Sequence, residues 1–425
     1  MIITGQFNDS LPPIMDGVAV AAYNYAYWLN KKHGPSFAVG PLVPQRGETA
    51  GAQPKDSGFS SEQANVLRYR SLRTVIADPY RLGVPRVDRS FNKTIELIPF
   101  DLIHAHCPFI SGNYAYTLAK KRNIPLVATF HSKYRDDFAS WMRLDLLIDQ
   151  AISLIVRFYE QADSVWVPNE AIIETLRSYG YKGPVEYVPN GSDISLESSE
   201  NAEKVAAQGR EILQADTESP VLLYVGQHRW IKNLRMLIDS LKILRNSGTA
   251  FQMRFVGTGE DAEEMQQYVL KNGLSEYIRF IGPVYERAQL KTAYAAAALF
   301  LFPSLYDNAS LATREAAGLS VPTLFVRGAT TANGIEDGHN GFLADNDAAS
   351  YAAKIKSVLE NTELRKHTGE EARHSLYLSW EKISSIVYEK YSEILDEYKY
   401  RQIRNITGTQ RTRPGKKPRT AINNN

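Results

Sequence analysis

The chain has 425 residues, 44% of them apolar, enough for two or three domains with sizeable cores. One cysteine, Cys107, excludes a disulfide within the chain, and no run reaches the roughly 18 uninterrupted apolar residues of a membrane-spanning helix. Net charge is +2, but eight Lys or Arg (Lys399, Arg401, Arg404, Arg411, Arg413, Lys416, Lys417, Arg419) and no acid lie between Tyr398 and Asn425, leaving the rest near −6. The opening MIITGQFNDSLPPIMDG has no basic segment before a long apolar one, so no secretory signal is expected and a cytoplasmic protein is.

In chain order, PPIMDGVAVAAYNYAYWLN fixes a loop with two prolines, and Asp16-Gly17 then opens an amphipathic helix. Leu102 to His106 reads as a strand, Gly112 to Arg122 as a helix, and Pro125 to Phe130 as a strand that ends on His131. Ser164 to Val167 is a strand, Ile172 to Tyr179 a helix and Val185 to Val188 a strand. Such alternation predicts a doubly wound parallel sheet. Ser195 to Asp216 is polar and reads as a linker running into a helix.

A second series follows: strands at 221–225, 252–256 and 278–281, and helices at 234–245, 262–272 and 289–297. Then comes LFLFPSLYDNASLATREAAGLSVPTLFV, read as strand 299–302, a loop, a helix ending at Gly318 and strand 321–326. Two α/β halves predict domains 1–200 and 201–378 facing each other across a cleft. Ser379 to Lys399 reads as a long terminal helix; 401–425 is a basic tail expected to be disordered.

The chemistry concentrates after strands. Asp307 lies in a loop and Glu315 on the following helix. Asn308, Ala309, Ser310 and Leu311, at that helix start, leave backbone N–H groups accessible to phosphate. Two acids there cannot hold phosphate, but they can hold hydroxyls on either side of it, which points to a nucleotide-sugar. In YVGQHRWIKN, Gly226 permits close approach to the backbone, and Lys232 or Arg229 can neutralise a diphosphate. Both cations also read as solvated loop charges, and Gly17 as an ordinary helix start. His131, like His104 and His106, can equally pack or cap. The acids alone resemble a glycosidase pair, yet a hydrolase of that type needs neither cation nor helix terminus. GTGE at 257–260 is a weak phosphate-loop signal.

FDLIHAHCPF, IPLVATFHSKY, YVPNG, YVGQHRWIKN and the Asp307–Glu315 block with EDGHNGF together resemble the family 4 retaining glycosyltransferases of GT-B fold. The N-terminal blocks look most like the bacterial subgroup that includes diacylglycerol glucosyltransferases. The resemblance implies two Rossmann-like domains. Glu315 would hold the ribose, Asp307 the donor sugar hydroxyls, Lys232 the diphosphate, Gly17 the phosphates from the first domain, and His131 the sugar. This chain departs from the family at Asp307 (usually Glu), at Ala309-Ser310 (usually Phe-Gly) and at Gln227 (usually Arg), with Arg229 the substitute cation. No metal or other cofactor is expected, because protein cations replace it. The expected reaction moves a hexose from a UDP-sugar to an acceptor hydroxyl, a lipid or envelope glycan. The alternatives are an epimerase of the same fold and a non-catalytic sugar-binding partner protein.

Seven basic residues (Arg68, Arg70, Arg73, Arg81, Arg86, Arg89, Lys93), interleaved with Leu67, Tyr69, Leu72, Val75 and Ile76, suggest together with the tail a peripheral site on an anionic inner membrane face. A solvated loop and a solubilising tail explain them equally. Specific nucleic-acid binding is not expected.

Overall fold

Short β-branched and aromatic runs become strands here because both faces of each sheet are covered. The computed structural model describes residues 1–14, 16–43, 64–73, 80–139, 142, 144–197 and 199–407. The tail cations from Arg411 onward, and Val75 and Ile76, lie outside these residues. The chain divides into two compact units: residues up to Asn190 together with the terminal helix from Trp380, and Gly191–Ser379.

The first unit holds a seven-stranded sheet in the order Asn65–Tyr69, Ser36–Pro41, Thr4–Phe7, Leu102–Ala105, Leu126–Thr129, Ser164–Val167, Glu186–Tyr187. All its pairings are parallel. The second unit holds six parallel strands in the order Ile278–Gly282, Gln252–Val256, Val221–Val225, Leu299–Phe302, Thr323–Val326, Phe342–Ala344. Each order reverses once, between Thr4–Phe7 and Leu102–Ala105 and between Val221–Val225 and Leu299–Phe302. Ligands of open α/β sheets bind beyond the strand C-termini at such switch points.

Helix Leu234–Asn246 buries Leu234, Leu237, Ile238, Leu241 and Leu244, the stripe its sequence spacing predicts. The last strand of the Asp307–Glu315 block starts at Thr323 rather than Val321. Pro322 has no N–H for the ladder, and the Val321 N–H instead donates to Ala316 O at the helix end (3.0 Å). Residues 191–200, assigned to the first domain from sequence, belong to the second unit. Ile194 is buried in that core, and the Ser192 N–H donates to Leu378 O at 2.8 Å.

The terminal helix Trp380–Thr407 returns the chain to the first unit and buries Trp380, Ile383, Val387 and Tyr391. It packs on helix Gly17–Lys32, whose Asp16 cap accepts from Val18 N and Ala19 N. Of the residues proposed to lie on lipid, Arg68 and Tyr69 turn inward. Arg68 donates to the Pro12 and Pro41 carbonyls, and Tyr69 is 1% exposed. No helix among the described residues is long and apolar enough to cross a membrane.

Candidate functional site

At the switch point of the second unit, the loops after Val225 and Phe302 meet. The first runs through Gly226 to a short 3-10 turn, Trp230–Lys232. Gly226 has φ +158°, a conformation that L side chains rarely adopt, and a Cβ there would also sit 2.9 Å from the Tyr224 hydroxyl. The Gly257 and Gly259 positions of GTGE leave no room either: a Cβ would lie 2.1 Å from Gly226 O and 2.4 Å from His228 O. Those glycines therefore let two loops pack closely, which accounts for GTGE without a phosphate.

Lys232 is 8% exposed, and its Nζ donates to Asp307 Oδ1 at 2.6 Å. It also lies 4.6 Å from the Tyr306 ring centre. A buried ammonium is retained only when paired; Asp307 supplies that pairing and holds the cation in place. Arg229 is turned to Glu260, with Nε 2.7 Å from Oε1, and Gln227 is exposed. In this structure Lys232 is thus the cation paired with the Asp307 loop.

Helix Leu311–Gly318 begins at Ser310, whose side chain makes no capping bond to it. Its first-turn N–H groups therefore keep their capacity for an anion. Asn308 is buried, while Ala309, Ser310 and Leu311 are half-buried beside them. Glu315 lies further along this helix and is 5% exposed. Its Oε1 accepts from Arg287 Nη2 (2.7 Å) and its Oε2 from the Tyr294 hydroxyl (2.8 Å). Arg287 also pairs with Asp193 through Nε at 3.0 Å. Burial opposes charge on Arg287, but the Glu315 and Asp193 carboxylates outweigh it and hold the guanidinium above its ordinary range. Burial, then Glu315, pushes the Tyr294 phenol far up. Arg287, Tyr294 and Asp193 were not singled out from sequence, because only the fold brings them to Glu315.

In the first unit, Gly17 is the exposed first residue of its helix, and an added Cβ there meets nothing within 4 Å. His131, 9% exposed, follows the strand Leu126–Thr129. Behind it lies a buried chain: His131 Nε2 to His106 Nδ1 at 3.3 Å, and His106 Nε2 to Gln6 Oε1 at 3.1 Å. An amide oxygen only accepts, so His106 donates from Nε2, and its Nδ1 accepts from His131 Nε2–H. His104 bridges the Tyr391 hydroxyl (2.6 Å) and Thr129 Oγ1 (2.7 Å). Burial pushes all three imidazoles down, His131 to about 3, so they are neutral near pH 7. Cys107 is buried and its thiol donates to Asp9 Oδ2 at 2.8 Å.

An Asp-x-Asp triplet, Asp345-Asn346-Asp347, is used structurally. Asp345 pairs with Arg327 at 3.1 Å, and Asp347 caps helix Ala348–Glu360 through Ser350 N at 2.8 Å. Among the described residues no three His, Cys, Asp or Glu side chains gather as metal ligands.

Two family models match the chain: Glycosyltransferase Family 4 over residues 15–196 and Glycosyl transferases group 1 over 205–375. An uncharacterised glycosyltransferase of Methanocaldococcus jannaschii is 26% identical over 80% of this chain and 89% of its own length. The alpha-monoglucosyldiacylglycerol synthase of Streptococcus pneumoniae is 21% identical over 72% and 70%. Among solved structures, Anabaena HepE in complex with UDP and glucose has a TM-score of 0.71 at 15% identity, over 92% of this chain and 99% of that one. Sucrose-phosphate synthase of Thermosynechococcus elongatus gives 0.74 at 17%, over 93% and 100%. With two parallel-sheet units and both halves of the family matched, the chain belongs to the family 4 glycosyltransferases of GT-B fold.

Proposed function

We propose that this glycosyltransferase moves a hexose from a UDP-sugar to an acceptor hydroxyl, with retention at the anomeric carbon and without a metal. The observation that carries the donor reading is the Lys232–Asp307 pair at a switch point, beside a helix start without a side-chain cap. As the glycosidic bond breaks, negative charge grows on the β-phosphate and positive charge on the sugar ring. The N–H groups of helix Leu311–Gly318 stabilise the first without reorganising, and Lys232 joins them on leaving Asp307; fixed donors of this kind are worth about 10²–10³-fold in rate each. Asp307 takes sugar hydroxyls as Lys232 turns to phosphate, and Glu315 takes the ribose. The leaving phosphate accepts the acceptor's proton, so no further base is needed.

For Gly17 and His131 of the first unit, the resemblance alone supports roles toward the phosphates and the sugar. Neighbours of this fold solved with UDP and with UDP-glucose favour a UDP-sugar. The relatives named as alpha-monoglucosyldiacylglycerol synthases favour a lipid acceptor, and a lipid acceptor favours a place at a membrane surface. The test is release of UDP from UDP-glucose, with EDTA present, across lipid and glycan acceptors. Acceptor-dependent UDP release with an α-linked product is expected. Epimerised UDP-sugar without UDP release would overturn the reading.

A further inference from the structure

Beyond the strand Leu102–Ala105, the connection Pro108–Ile110 forms one wall of a cavity of about 780 Å³ that lies wholly in the first unit. That volume falls in the range of small-molecule sites, roughly 300–1,000 Å³. Phe109, Phe138, Leu154, Ile155 and Phe158 make its lining mainly apolar. Its neutral polar members are Asn113 and Gln161, and the Asn113 amide nitrogen is already used, since Nδ2 donates to Pro108 O (2.9 Å) and Phe109 O (2.7 Å). A neutral sugar or a nucleobase would find mostly apolar wall there. Leu154 is 64% exposed and Val87 75%. The apolar rim continues along helix Asp145–Glu160 through exposed Leu146 and Leu147. A patch of this kind marks a binding surface more often than chance exposure.

Two cations share this lining. Arg86 and Arg157 are exposed, and neither has a carboxylate within salt-bridge distance among the described residues. Arg86 makes one bond, to Thr117 Oγ1 at 3.2 Å. A purely apolar ligand would have no use for two unpaired guanidinium groups, whereas a chain ending in a phosphate or carboxylate would. Its Pro108–Ile110 wall follows the C-terminal end of the strand Leu102–Ala105, the edge at which ligands of such sheets bind.

We propose that this cavity holds the hydrocarbon chain of an anionic amphiphile, with Arg86 and Arg157 meeting its headgroup, and that the sugar acceptor is of this class. The word acceptor rests on the glycosyl-transfer reading; the binding itself does not.

The test uses the full chain and calorimetry with oleoyl lysophosphatidate and uncharged mono-oleoylglycerol, each below its micelle concentration. The wild type should bind one lysophosphatidate per chain, at least tenfold more tightly than mono-oleoylglycerol. Arg86→Gln with Arg157→Gln should erase that preference. Ala151→Trp, which fills the cavity, should weaken both ligands at least tenfold at unchanged UDP affinity. Leu154→Glu, at an exposed rim position, should weaken lysophosphatidate alone and serves if the Trp variant fails to fold. Absence of monomer binding by the wild type would overturn the proposal. So would equal binding by Leu154→Glu and a folded Ala151→Trp, or retention only on phosphatidylglycerol vesicles, which would mean surface adsorption. Amphiphile binding without sugar transfer to any acceptor would support the site and sink the glycosyl-transfer reading instead.

Discussion

Glu315 is more constrained than its place in the sequence suggests. Both its oxygens are engaged, by Arg287 and by Tyr294, so the ribose proposed to bind there would use the lone pairs those two bonds leave. The arrangement fixes the carboxylate in one rotamer before any ligand arrives. Tyr294→Phe should therefore cost about 1–3 kcal/mol of stability, because a buried charged acceptor loses its donor. It should also weaken UDP binding, since the carboxylate is then free to turn. Urea unfolding and calorimetry read both; a variant with wild-type stability and affinity would mean that Tyr294 does not position Glu315. At this scale the sequence singled out Lys232, Asp307 and Glu315 through their places after strands and on a helix, and the structure brings Lys232 and Asp307 together. It could not show Arg287, 28 residues before Glu315 in an ordinary helical segment. Nor did Arg229 reveal its pairing with Glu260, a contact between two loops.

At the scale of elements, the helix that carries Glu315 depends on how closely it packs. A Cβ on Gly318 would lie 2.1 Å from Ile194 O, so glycine there seats the 191–196 segment against the helix end. The same segment carries Asp193, the second partner of Arg287. Gly318→Ala should cost about 1–3 kcal/mol by overpacking and weaken UDP binding by moving Asp193; a thermal melt with UDP titration would show it. No loss on either count would leave this packing irrelevant to the site. Strands made of continuous apolar runs, such as Val221–Val225 and Leu299–Phe302, were legible to the residue. Thr4–Phe7 was not, because its central position is Gln6, a buried polar residue that bonds His106. A polar residue in a central strand breaks the apolar pattern, and here it does so at the switch point.

The whole molecule places its polar chemistry in two separate settings. In the first unit the terminal helix stacks Tyr391 on Trp166, with ring centres 5.4 Å apart, and closes over His104. The long Tyr- and Ile-rich pattern made this helix legible; the His131–His106–Gln6 chain was not, because it joins residues that follow or lie on three different strands. These imidazoles lie below the usual histidine range when folded and return to about 6.5 on unfolding. Their contribution is therefore present above pH 6.5 and is lost as pH falls toward the folded values, by up to about 1.4 kcal/mol per histidine per pH unit. Asp9 and Asp16, raised by burial, oppose this nearer their own range, so the contrast with a variant isolates the histidines. His106→Gln should flatten the fall in melting temperature between pH 6.5 and 4.5; parallel curves would contradict it. In the proposed reaction the second unit binds a nucleoside diphosphate through Lys232 without a metal. Calorimetry of UDP with the full chain in EDTA tests it most directly. The wild type should bind, and Lys232→Ala should bind at least tenfold more weakly while remaining folded. Equal affinity in the two, or binding only after a divalent cation is added, would contradict the account.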